Sequence, residues 1–195
     1  MESGFTTPGQ ASHLPELPEE MWQAIRDCLP MEDWVNCTLV SGDFHDRFWG
    51  GVRVHTQSEL DEALLRHGLR LIVIEGPHLT MAAPQVQGTP IIVGNDVSVS
   101  AGRVYVRDNV RVTASGAAHV HATGQGRVTA HGQAYVFADG QAEVTAHGDV
   151  EVNANDQAQV EAHDRVFVLA SDRTRVTAHD EAVVNAGEEV RVVYA

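Results

Sequence analysis

The chain has 195 residues and no lysine: all 13 basic residues are arginine, against 27 acidic ones. Two readings of that absence stay open, a codon bias toward arginine and the avoidance of lysine-directed modification such as ubiquitin attachment. The formal net charge of −14 argues against nonspecific binding to nucleic acid or to an anionic membrane. Mimicry of DNA by an acidic rod is a minor alternative, since from 109 to 195 acids and arginines are interspersed and leave no continuous acidic stripe. Aromatic residues reach only 6% where hydrophobic ones reach 43%, a balance that suits a rod of small repeated side chains better than one compact globule. Cysteine is confined to Cys28 and Cys37, both in a helical-looking segment, where a pair of reduced core residues is expected rather than a disulfide. No stretch approaches transmembrane length and the opening MESGFTTPGQASH is polar, so an intracellular, cytoplasmic protein with no membrane partner is expected. Motifs of the GxGxxG, P-loop, GxSxG and HExxH types do not occur. Their absence points away from an enzyme and from a bound cofactor.

What is present is a period. Valine recurs every eighth residue from Val104 to Val192, flanked by inward alanines or valines such as Ala134/Val136/Ala138 and Val150/Val152/Ala154. Regularity of this kind belongs to a solenoid, and alternation at period two makes each octad a short strand. The outward residues agree better at sixteen residues than at eight. One set of octads carries Thr113, Thr129, Thr145, Glu161 and Thr177 after the valine, and His131, His147, His163 and His179 two residues further on. The other set carries Arg103, His119, Tyr135, Glu151, Phe167 and Val183 before the valine. The fold expected is therefore mainly β, a two-sided parallel β-solenoid with coils of about 16 residues, two octads to a coil. A three-sided coil would mix the threonine and aromatic series on every face. Gly116, Gly124, Gly132, Gly140, Gly148, Asp156, Asp164, Asp172 and Asp180 are expected at corners, because glycine, and less readily aspartate, accepts a left-handed conformation.

The two faces invite different uses. The histidine column offers imidazoles about 5 Å apart, but a linear ladder presents ligands from one direction only, so a solvated polar ladder and no metal site is expected. The threonine column suggests ice binding, against which stand the interruption at Glu161 and the charged neighbours. Carbohydrate-cleaving β-helices use clustered carboxylates, whereas Glu143 and Glu161 stand apart here. On the opposite face Tyr135, Phe137, Phe167, Leu169 and Val183 point large apolar groups outward, the pattern of an interface. Val192 and Tyr194 fall in the last coil, whose open strand edge can pair with another chain, so homo-oligomerisation there is expected.

Residues 1–12 read as a flexible terminus and 13–51 as a separate helical domain holding all three tryptophans. Pro18 opens a helix with Trp22, Ile25 and Leu29 at helical spacing, and Pro30 ends it. The series Leu14-Pro15, Leu17-Pro18-Glu19, Trp22, Ile25, Leu29-Pro30, Asp33-Trp34, Leu39-Val40-Ser41, Phe44 and Phe48 resembles an F-box. The resemblance covers about one fifth of the chain. It implies a three-helix motif that docks on the linker subunit of a cullin-type ubiquitin ligase while the rest of the chain recruits a substrate. By the same resemblance Leu17, Pro18, Trp22, Ile25, Leu29, Pro30, Leu39 and Val40 would include the docking contacts. The alternative reading is a helical cap that packs on the solenoid and docks nothing.

Residues 52–108 should join the two parts and 109–195 should form the regular solenoid. In the joining segment a strand at Val52 to His55 is expected, then a short helix from Glu59 to His67, opened by Ser58, with Leu60, Ala63, Leu64 and Leu65 on its apolar face. A strand at Leu71 to Ile74 follows, and then imperfect coils with a loop around Thr80 to Thr89.

Overall fold

The computed structural model describes residues 52–65, 72–82, 91–106 and 109–195, together with Met21, which is helical and exposed. The F-box-like residues lie outside these. The described chain is mainly β, with 57% strand, and winds into a parallel β-solenoid of about 8 turns. At one strand spacing per turn the rod is about 38 Å long.

One face is built from β1 (Val52–Val54), β2 (Ile72–Ile74) and β4 (Ile91–Val93), and later from β8 (Tyr135–Ala138), β10 (Glu151–Ala154), β12 (Phe167–Ala170) and β14 (Val183–Ala186). The other runs from β3 (Leu79–Met81) to β7 (Arg127–Gly132), β9 (Glu143–Gly148), β11 (Gln159–Ala162), β13 (Arg175–Ala178) and β15 (Arg191–Tyr194). β5 (Val97–Val106) and β6 (Arg111–Ala122) cross from one face to the other, so that all fifteen strands belong to one continuous sheet. After β6 every partner is sixteen residues away, as in Thr129↔Thr145 and Tyr135↔Glu151. The sixteen-residue, two-strand coil is therefore the repeating unit.

The octad pattern works because each position has a single demand. Inward valines and alanines such as Val136, Ala138, Val144, Ala146, Val152 and Ala154 are buried and form one core along the rod. From β6 onward the buried inward positions are valine and alanine apart from Thr174, whereas the first coils also bury Ile72, Ile74, Met81 and Ile91, and nearest-neighbour stacking supplies the cohesion. Thr174 is the one polar residue that is fully buried among the described residues, and its hydroxyl donates to the Ser171 carbonyl at 2.6 Å.

All nine expected corners have positive φ, from +54° at Asp172 and Asp180 to +85° at Gly148. Glycine takes this conformation freely, whereas aspartate incurs strain and so needs a compensating contact. That contact is visible at four corners. Asp164 accepts the Gly148 N–H at 2.9 Å, Asp156 accepts that of Gly140 at 3.2 Å, and Asp172 and Asp180 accept those of Asp156 and Asp164. Each carboxylate thus closes an otherwise free donor one coil earlier, a satisfaction that glycine cannot supply.

The first coils obey no fixed period. Val52 pairs with Ile72, Ile72 with Ile91 and Ile92 with Tyr105, and the register of β5 on β6 slips between Val99 and Ala101. The helix α1 (Gln57–Leu65) starts two residues earlier than expected. Its cap is Thr56, not Ser58: the Glu59 N–H donates to Thr56 Oγ1 at 3.3 Å, and Glu59 Oε2 accepts the N–H groups of His55 and Thr56 at 2.7 and 3.2 Å. Such reciprocal pairing is a capping box. The His55 N–H holds the Glu59 carboxyl below its ordinary range. Leu60, Ala63 and Leu64 are buried as expected, but Leu65 is 78% exposed, because it falls outside the arc that meets the core. Thr80, expected at the start of a loop, belongs to β3. The Gln57 side-chain amide accepts the Thr80 N–H and donates to the Thr80 carbonyl, both at 2.9 Å, and so continues the strand ladder onto the helix. That pairing covers a sheet edge which would otherwise be open to association.

Candidate functional site

Three groups of outward side chains stand out on the rod. The first lies on the face built from the second half of β6 and from β8. Here Tyr105, His121 and Phe137 form one column and Arg103, His119 and Tyr135 another, in register through Tyr105↔His121, His121↔Phe137 and His119↔Tyr135. The rings touch: Tyr105 and His121 centroids are 5.7 Å apart, His119 and Tyr135 5.6 Å, and His121 meets Phe137 edge-on at 4.7 Å. His121 Nε2 lies 3.1 Å from Asp139 Oδ2, which fixes that imidazole. A shallow pocket of about 190 Å³ opens between these side chains. Its walls are the rings of Tyr105, Tyr135 and Phe137, and Arg103, His119 and His121 add polar groups to its lining.

Phe167, Leu169 and Val183 do not continue the group formed by Tyr135 and Phe137. The registers Tyr135↔Glu151↔Phe167 and Phe137↔Asn153↔Leu169 place Glu151 and Asn153 between the two groups. The result is two islands. Tyr135 and Phe137 are half-buried in the pocket, while Phe167 and Val183 are 38% and 56% exposed and Leu169 sits half-buried between Asn153 and Asn185. Polar side chains tie the coils together beside them: Asn155 donates to Asp139 Oδ1 at 3.0 Å and Ser171 to Asn155 Oδ1 at 2.7 Å.

A second group, on the opposite face, forms a polar groove of about 550 Å³ lined by Gln125, Gln141, Gln157, Gln159, Glu143 and the arginines 127, 173 and 175. Arg127 pairs with Glu143 at 2.9 Å, so part of its charge is engaged within the rod. The third group is the histidine column, which is in register as expected. Successive ring centroids from His131 to His179 are 5.3, 4.5 and 4.4 Å apart, with interplanar angles of 11°, 13° and 4°. The expectation of ligands from one direction only does not hold at its far end. Glu161, which interrupts the threonine column, places Oε1 3.4 Å from His163 Nε2 and 3.6 Å from His179 Nε2. The interruption is visible in the sequence, but the side-chain approach is not.

At the last coil Val184, Val190 and Val192 are only half-buried, and Tyr194 is 72% exposed. Among the described residues no helix is long and apolar enough to cross a membrane. Comparison with known proteins gave no matching family model, no matching curated protein and no matching solved structure.

Proposed function

We propose that the protein is a non-enzymatic interaction scaffold, an F-box-type adaptor that docks on a cullin-ligase linker subunit through residues 13–51 and holds a protein partner on its solenoid. The observation that carries this reading is the division of labour among the solenoid's polar residues. Six of its acids serve the coil: Asp156, Asp164, Asp172 and Asp180 accept corner N–H groups, Glu143 pairs with Arg127 and Asp149 with Arg165. A ring-walled pocket at Tyr135 and Phe137 and the exposed Phe167 and Val183 are left as surface. Such apolar groups on a polar rod are where partner contacts concentrate. The F-box reading itself rests on the sequence order from Leu14 to Phe48.

In the decisive experiment the purified full chain is mixed with a purified linker subunit and complex formation is followed by size-exclusion chromatography. A complex is expected with the wild type, and Leu17→Asp combined with Leu39→Asp should abolish it while the solenoid's β circular dichroism persists. Absence of a wild-type complex would refute the adaptor reading. A second reading, self-association of solenoids, is favoured by the exposed apolar side chains of Phe167, Val183 and Val193. In light scattering it requires the wild type to exceed the monomer mass and Val192→Lys with Val193→Lys to restore it.

A further inference from the structure

We infer that Glu161, His163 and His179 form a binding site for a zinc-class divalent cation that clamps two successive coils. The histidine column alone is a stack of parallel rings whose nitrogens point the same way, which is poor geometry for a metal. Position 161 changes this. Its column carries threonine at 113, 129, 145 and 177, and Glu161 lies in register between Thr145 and Thr177. A longer side chain with a carboxylate therefore replaces a short hydroxyl, and it reaches the imidazole that follows β11 and the one a coil further on. One donor atom from each of the three residues falls within 4.8 Å of the others.

The donor separations fit the chemistry. Tetrahedral zinc with N and O ligands at about 2.0–2.1 Å has donor-to-donor edges of about 3.3 Å, and Glu161 Oε1 stands 3.4 and 3.6 Å from the two Nε2 atoms. His163 and His179, with centroids 4.4 Å apart, need only tilt toward each other to complete the triangle. A second observation points the same way: His179 Nε2 is shielded from solvent and has no hydrogen-bond partner. A ring nitrogen buried at a distance too long for a hydrogen bond to the carboxylate is costly unless something bridges them. Two imidazoles and one carboxylate select a borderline cation such as zinc over magnesium or calcium, which prefer all-oxygen shells. Glu161 is exposed, so the fourth position of such a site opens to solvent. Because His179 comes from a different coil than Glu161 and His163, only the folded rod offers all three ligands.

The test is calorimetric titration of zinc chloride into the metal-stripped full chain at pH 7.5. The wild type is expected to take up one equivalent that Glu161→Thr, which restores the residue of its column, weakens by at least about 100-fold, more than the loss of an outer-shell partner would. His179→Gln should do the same, and His131→Ser, at the far end of the ladder, should leave the affinity unchanged. Failure of the wild type to bind zinc, or binding that survives both Glu161→Thr and His179→Gln, would overturn the assignment.

Discussion

Replacing Val152 by aspartate is expected to unravel the distal half of the rod. Val152 is fully buried, pairs in register with Val136 and Val168, and belongs to a core in which Thr174 is the only fully buried polar residue described. A carboxyl group placed there meets no donor. It must be buried unpaired or force the two sheets apart, at a cost of about 5 kcal/mol or more, comparable with the whole stability of an ordinary domain. Because each coil is held chiefly by its neighbours, the loss is not spread along the rod. The coils after β10 lose their template and become protease-sensitive, while those before it keep theirs. Val152→Thr, which adds only an unpaired hydroxyl at nearly constant volume, should cost about 1–3 kcal/mol. Thermal melting and limited proteolysis of the three proteins check the order; an aspartate variant that melts with the wild type would mean that this valine does not line a dry core.

The second large effect concerns the opposite end. Gly76 follows β2, and its N–H donates to the Val54 carbonyl at 3.1 Å. A Cβ at this position would stand 2.0 Å from the His55 carbonyl oxygen and 2.4 Å from its carbon, both backbone atoms that no rotamer change can move aside. Gly76→Ala must therefore displace the chain between β1 and α1, with a cost of about 3–5 kcal/mol. The damage should stay local. Amide exchange at Val54 and Ile74 is expected to accelerate strongly while protection at Val144 and Val160 is retained; unchanged protection at Val54 would show that the two backbones do not cross so closely.

How much of this is legible in the sequence depends on how many residues each feature requires. The corners and the core can be read directly, since a single residue type answers a single demand: glycine or aspartate where φ is positive, valine or alanine at the inward positions of the regular coils. The sixteen-residue coil follows from comparing outward residues, because polar ladders repeat only when strands are in register. The early coils resist for the opposite reason. Their strands are separated by unequal lengths, and the pairing of Thr80 with the Gln57 amide joins residues with no periodic relation. The break between the two apolar groups is legible too, since Glu151 stands between Tyr135 and Phe167, and Asn153 between Phe137 and Leu169, in the sixteen-residue columns. The role of Glu161 is hidden. As a letter it breaks a threonine column, whereas as a side chain it reaches two imidazoles on successive coils.

Only a coil of two strands and sixteen residues assigns the histidine column to one face and the ring-walled pocket to the other. Nitroxide labels at Thr113 and Thr177, exposed or half-exposed on the same column, measure it by pulsed electron resonance. Four coils separate them, so a narrow distance distribution centred near about 19 Å is predicted, and moving the first label to Thr129 should shorten it by one step of about 4.8 Å. A distance that does not scale with the number of sixteen-residue steps, or a broad distribution spanning two faces, would contradict it.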